Sequence, residues 1–83
     1  MTTVAIDLPD EAFSALKRPP PEFARRMRLA AAMHWYSRGE VSMEKAALIA
    51  GVDRVEFLAA LASEEIEVFD ADLEGLKREL LRG

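Results

Sequence analysis

Residues 42–61, which read SMEKAALIAGVDRVEFLAAL, decide the fold of this chain. Ala47 is small enough for two helices to cross closely, and Gly51 follows four residues later, where a tight turn needs a positive φ. Phe57 and Leu61 are spaced to pack a second helix back onto the first. The pattern predicts a helix-turn-helix, a motif that serves DNA binding or protein docking.

Both helices of this motif carry their own capping residues. Ser42 is a good N-cap for the first helix, and Asp53 followed by Glu56 is typical of a capping box at the second. The capping role explains these two acids without any function. The second helix offers only Arg54 as a long donor near its start, where base reading needs one. Ser42 and Lys45 are placed to hold phosphates from the first helix.

Alternating apolar residues on either side of the motif predict two short strands. Val4, Ile6 and Leu8 share one face of residues 3–8, and residues 66–69 alternate in the same way. A two-stranded ribbon alone is marginal in water, so we expect it to lie on helices. Pairing within one chain and pairing across a dimer are both open. The fold class predicted is a mainly α helix-turn-helix bundle with these two strands, in a dimer.

Three further helices are predicted around the motif. A short one runs from about Asp10 to Lys17, and a long one runs from about Pro21 to Arg38, where Gly39 stops it. Asp70 caps a last helix from about Ala71 to Leu81. The long helix is apolar over enough of its circumference to be central in the fold or to lie in a dimer interface. Its stripe comprises Phe23, Met27, Ala30, Ala31, His34 and Trp35, widened by Leu29, Met33 and Tyr36.

The distribution of charge divides the 83 residues into two functional halves. Residues 1–62, the body, carry eight basic and eight acidic side chains and are neutral. Residues 63–83, the tail, carry three basic and seven acidic ones, which accounts for the whole net charge of −4. A protein bound to DNA by charge alone would have a basic excess. We therefore expect the body to dimerise and bind DNA, and the tail to bind a partner.

Several classes of function find no support in the sequence. The chain has no cysteine and one histidine, so thiolate metal sites are excluded and His34 is better explained by packing or an interface. There is no Gly-rich phosphate loop and no nucleophile beside a base, so we expect no enzyme activity, cofactor or metal. No signal peptide and no apolar run of ~20 residues is present, which favours a cytoplasmic protein without a membrane span.

The order of the elements, together with six short stretches, resembles a known family. The stretches are residues 6–9 (IDLP), 28–32 (RLAAA), 36–39 (YSRG), 46–52 (AALIAGV), 55–58 (VEFL) and 66–70 (IEVFD). The chain is similar, over nearly its whole length, to an uncharacterised protein family of small archaeal and bacterial helix-turn-helix antitoxins. The resemblance implies an antitoxin role beside a toxin, commonly one with a PIN-type ribonuclease domain.

The tail has the composition of a partner-binding segment. Burial of its four apolar anchors contributes about 1.5–3 kcal/mol each, while ordering each residue costs roughly 1–2 kcal/mol of backbone entropy. The tail must therefore dock, either on its own body or on a partner. Late arginines are placed to pair with the carboxylates of a ribonuclease centre. The candidate partner-binding residues are Phe69, Leu73, Leu76, Arg78, Leu80 and Arg82.

Three hypotheses follow for the whole chain. The first is a type II antitoxin whose body dimerises through the strand and the long helix, whose tail neutralises a ribonuclease toxin, and which binds its operator DNA. The second is a stand-alone helix-turn-helix transcriptional regulator. The third is a scaffold dimer with no role on DNA. The candidate DNA-binding residues are Arg25, Arg26, Arg28, Ser42, Lys45 and Arg54.

Overall fold

The computed structural model describes residues 1–81, and within them the chain forms five α-helices and no β-strand. The helices lie within a residue or two of their predicted positions. As predicted, most of these helices begin with an acidic residue or a proline or end at a glycine. Their bounds are α1 (Asp10–Leu16), α2 (Pro20–Ser37), α3 (Met43–Ala50), α4 (Arg54–Ser63) and α5 (Asp70–Leu81).

The two predicted strands are wrong. Residues 1–9 have no regular structure, and Val4 and Ile6 are 77% and 62% exposed. Residues 66–69 form no strand either, although Ile66 and Val68 pack against the helical core. The alternation of residues 66–69 reflects one side that packs against helices, a pattern that needs no ladder partner. The predicted two-stranded ribbon is therefore absent from residues 1–81.

The long helix α2 is bounded by backbone geometry that the sequence predicts. Pro20 occupies its first turn, where the missing N–H has no intrahelical partner to lose. Gly39 follows its end with a φ of +73° and donates its N–H to the Tyr36 carbonyl over 2.9 Å. At the start of α2, the ring of Phe23 packs on Phe13 of α1 with centroids 4.8 Å apart. Side chains of this 18-residue helix contact Phe13 of α1, Ile49 of α3, Phe57 of α4 and Asp72 of α5.

The core lies where α2, α3 and α4 meet. Ala32 of α2 and Ala46 of α3 are completely buried, so small side chains bring these helices close together. Tyr36 and Phe57, both completely buried, meet edge to face with ring centroids 5.8 Å apart. Leu61 of α4 is also completely buried. Phe57 and Leu61 therefore belong to the same core cluster as the buried side chains of α3.

The side of α2 that faces the core differs from the stripe read in the sequence. The buried side chains beyond Phe23 are Ala32, Met33 and Tyr36, while His34 and Trp35 are exposed. Because α2 is apolar around most of its circumference, residue spacing alone does not choose which side is buried. Contacts with α3 and α4 determine which side of α2 is buried, and they leave another apolar side facing solvent.

Candidate partner-binding surface

The capping residues predicted for α3 and α4 act as expected. Ser42 Oγ accepts a hydrogen bond from the Lys45 backbone N–H at 3.2 Å. Asp53 Oδ1 accepts one from the Glu56 backbone N–H at 2.7 Å. Each cap satisfies a donor that the first turn of a helix leaves without a partner. Both side chains are thereby engaged in structure before any ligand is considered.

The turn between α3 and α4 depends on Gly51 and on Arg28. Gly51 has a φ of +75°, and the Val52 N–H reaches the Ala47 carbonyl at 3.1 Å to close the end of α3. Arg28 Nε donates to the Ile49 carbonyl at 2.8 Å, so its guanidinium caps the same helix end. A β-carbon at position 51 would lie 3.0 Å from Arg28 Nη2. Arg28, a candidate phosphate ligand in the sequence, therefore supports the turn.

The remaining arginines at the start of α2 surround an open depression of about 460 Å³, the basic depression. Arg25 and Arg26 line it and are exposed. Arg18 lines it as well and lies 3.8 Å from the Glu22 carboxylate. The structure thus brings together the predicted cluster of α2 in one place, next to the α3–α4 turn. Positive charge outweighs negative charge there, which suits anionic groups.

The outer side of α4 offers little for reading bases. Arg54 Nη1 lies 2.6 Å from Glu79 Oε1 of α5, in an ion pair between residues 25 positions apart. Val55 is 61% exposed, and Glu56 and Ala59 are exposed beside it. The one long donor predicted to read DNA is therefore held by a carboxylate of the tail. Neutral and acidic side chains form the rest of that surface.

Tyr36 joins the tail to the body through a set of contacts that we call the tyrosine latch. Its hydroxyl donates to Asp72 Oδ2 at 2.6 Å and accepts from the Phe69 backbone N–H at 3.0 Å. The rings of Tyr36 and Phe69 lie 5.0 Å apart, centroid to centroid. Burial, assisted by the hydrogen bond to Asp72, raises the pKa of Tyr36 to about 12. The latch fixes the start of α5 on α2.

Beyond the latch, one apolar residue of α5 is buried against the core and the others are exposed. Leu76 is only 4% exposed and belongs to the core. Leu73, Leu80 and Leu81 are 38%, 72% and 88% exposed. Arg78 Nη2 lies 3.9 Å from Glu74 Oε2 of the same helix, and both side chains are mostly in solvent. Of the five predicted partner-binding residues that the structure describes, Leu76 is buried in the core and Phe69 packs on Tyr36.

Sequence reasoning missed the polar residues that hold the tail. Asp72 and Glu79 were counted only as acidic charge, yet they bind Tyr36 and Arg54. One signal was available for the first of these, because a tyrosine buried by helices needs a hydrogen-bond partner for its hydroxyl. Arg82, predicted to bind a partner, lies outside the described residues.

Two features are absent from residues 1–81. No helix in that part of the chain is long and apolar enough to cross a membrane. The same part contains no group of three or more histidine or carboxylate side chains arranged to hold a metal ion.

These features define a small five-helix protein with an exposed apolar face on its last described helix. The chain belongs to UPF0175, an uncharacterised protein family whose model matches residues 1–81. A UPF0175 protein from Aeropyrum pernix is 34% identical over 77 residues, which span 93% of this chain and 81% of that protein. No solved structure matches the chain. The resemblance to an uncharacterised family is confirmed, and the antitoxin role is a separate inference.

Proposed function

We propose that this protein is an antitoxin of a type II toxin–antitoxin pair and that its tail neutralises a ribonuclease toxin. The observation that carries the proposal is the exposed side of α5. Leu73 and Leu80 lie on the same side as the docked Leu76 and extend its apolar stripe into solvent. An amphipathic helix with an uncovered apolar stripe is suited to a groove on another protein.

The charged residues of α5 support the same partner. Arg78 is paired with Glu74 over 3.9 Å in a mostly exposed ion pair, an interaction worth only about 0–1 kcal/mol. Its guanidinium is therefore released at little cost to meet another carboxylate. Ribonucleases that use metal ions present clustered carboxylates, and an arginine binds such groups in a bidentate manner. Arg78 is the described residue that we assign to this contact.

The second part of the proposal is that the protein binds operator DNA, and that it does so through residues outside α4. Arg54 is engaged by Glu79 and Arg28 by the end of α3. Of the predicted DNA-binding cations, Arg25 and Arg26 at the basic depression and Lys45 on α3 are exposed and are the ones that we assign to phosphates. If the chain acts alone as a transcriptional regulator, these residues carry its function. That alternative predicts duplex affinity that falls steeply with salt.

The test of the antitoxin proposal begins with capture of partners by the tagged full chain from its native host. Ribonuclease activity of the recovered partner is then titrated with the wild-type chain and with the variant Leu73→Asp/Leu80→Asp. Leu80 is 72% exposed and Leu73 is 38% exposed, so an unchanged circular-dichroism spectrum is required of the variant before its neutralisation is compared. We expect the wild-type chain to abolish the activity and the variant to fail.

The matched control is Leu48→Asp, a leucine on α3 that is 63% exposed. It should neutralise as well as the wild-type chain, because it places a carboxylate on an exposed leucine outside the tail. Equal neutralisation by the α5 variant and the wild-type chain would refute the proposal. Recovery of no nuclease, together with salt-sensitive duplex binding, would favour the regulator instead.

A further inference from the structure

The side of α2 that faces away from the body carries a regular apolar seam. Its members are Ala24, Met27, Ala31 and Trp35, which follow one another at spacings of three and four residues. Such spacing places side chains in one line along a helix and is typical of a surface packed on another helix. Ala24 is exposed, Met27 and Ala31 are partly exposed, and Trp35 is 41% exposed. Nothing in residues 1–81 packs fully over this line.

We infer that this seam binds a second copy of the chain, with the two α2 helices antiparallel around a two-fold axis at Ala31. The seam is symmetrical about that residue, because Met27 and Trp35 lie four positions to either side of it. An antiparallel pairing therefore sets Trp35 of one copy against Met27 of the second copy. Methionine sulfur and aromatic rings make favourable contacts. A self-complementary patch of this kind is what a two-fold interface requires.

The exposed area of the chain is large enough to include an interface with a second copy. A compact chain of 9.2 kDa exposes about 4,900 Å², whereas this chain exposes 6682 Å². Its radius of gyration of 14.6 Å also exceeds the value of about 12 Å for a compact domain of this length. Residues 1–9 contribute part of the excess. A standard interface buries roughly 800 Å² on each partner, which the excess accommodates.

Charge and side-chain size favour a copy of the same chain over a charged ligand. None of the four seam residues is charged. Arg28, which lies on the same side of α2, donates to the Ile49 carbonyl, and the antiparallel pairing sets it opposite His34 of the second copy. The same pairing sets Arg38 opposite Ala24, so two copies meet without like charges directly opposed. Ala31 at the axis lets the two backbones approach closely, near the lower end of the usual 8–10 Å between helix axes. His34 borders the seam and is exposed. The inference does not depend on whether the tail binds a toxin.

Sedimentation equilibrium of the full chain tests the seam. We expect a dimer for the wild-type chain and a dissociation constant raised about 100-fold or more by Ala31→Glu, because two carboxylates would meet at the axis. Leu48→Glu is the control, since it adds the same charge to an exposed position on α3. A wild-type monomer, an Ala31→Glu dimer as tight as wild type, or dissociation by Leu48→Glu would each overturn the inference.

Crosslinking is a second test of the seam, and it does not require the protein to tolerate a charged side chain there. The chain has no cysteine, so Ala31→Cys introduces a single thiol. A residue on a two-fold axis meets its own copy, and the two sulfurs then form a disulfide under mild oxidation. We expect a covalent dimer for Ala31→Cys and a monomer for Leu48→Cys. Absence of the Ala31 crosslink would overturn the placement of the axis.

Discussion

The α3–α4 pair and α5 are stabilised in different ways. Both helices of the pair begin at capping side chains, and Ala46, Phe57 and Leu61 are completely buried between them and α2. Up to Leu81, α5 has one buried side chain, Leu76, and relies on polar contacts for the rest. The rigid pair displays few donors, whereas the weakly held helix displays apolar and charged groups. Segments that exchange partners are drawn from the less stable parts of a fold.

The largest effect is expected in the rigid pair. Phe57→Ala removes a completely buried ring that packs on Tyr36, and such changes cost about 3–5 kcal/mol. A domain of this size has a free energy of unfolding of roughly 4–12 kcal/mol, so much of its stability is lost. Urea unfolding followed by circular dichroism measures the change. A loss below about 1 kcal/mol would show that the ring is not the centre of the core.

A second large effect is expected for Leu76→Ala, which truncates the buried leucine of α5. The side chain is 4% exposed, and truncation of such a leucine costs about 2–5 kcal/mol of local packing. We expect α5 to undock while α2, α3 and α4 stay folded. Amide hydrogen exchange should then lose protection in residues 70–81 alone. Equal loss of protection in α3 and α4 would show one cooperative unit and would break the contrast.

A smaller effect is expected at the tyrosine latch. Tyr36→Phe keeps the ring but removes the hydroxyl that binds Asp72 and the Phe69 N–H. Loss of these hydrogen bonds should lower the free energy of unfolding by about 1–2 kcal/mol. Asp72→Asn leaves an acceptor in place and should fall between the variant and the wild-type chain. Identical stability of Tyr36→Phe and wild type would contradict a stabilising latch.

The latch also predicts a pH dependence. The pKa of Tyr36 is about 12 in the folded chain and 10.0 for the ordinary side chain, so the folded state holds this proton more tightly. Its stabilisation is complete below pH 10 and disappears as the pH rises from about 10 to 12. The difference in unfolding free energy between wild type and Tyr36→Phe should therefore shrink over that interval. A constant difference would contradict the raised pKa.

Some features of the fold were predictable because they depend on near neighbours in the sequence. The Ser42 and Asp53 caps and the left-handed Gly51 follow from local chemistry, and each lies where the pattern placed it. The second strand was mispredicted because alternation reports one covered side and does not say what covers it. The first was mispredicted because its alternating residues Val4 and Ile6 are exposed, so the pattern there reports no covered side at all. Residues 66–69 alternate because they lie over helices.

The candidate surface was less predictable than the fold, because it depends on contacts distant in the sequence. Arg28 and Arg54 were read as free cations, and their partners lie 21 and 25 positions away. The stripe of α2 was recognised, but its apolar residues are divided between the core and the outward seam by packing alone. A helix that is apolar on two sides carries no local signal of which side is buried.

The smallest effect is expected at the ion pair that holds α5 against α4. Arg54 and Glu79 are 40% and 55% exposed at 2.6 Å, so a double-mutant cycle with alanine should give a coupling of about 0.2–1 kcal/mol. The looser pair of Arg78 and Glu74, at 3.9 Å and mostly exposed, is the control and should couple less. Equal couplings would contradict a specific contact between the tail and α4. The variant Glu79→Gln tests the same ion pair in DNA binding, because it releases Arg54. Duplex affinity should rise if α4 reads DNA. It should stay unchanged if binding depends on Arg25 and Arg26.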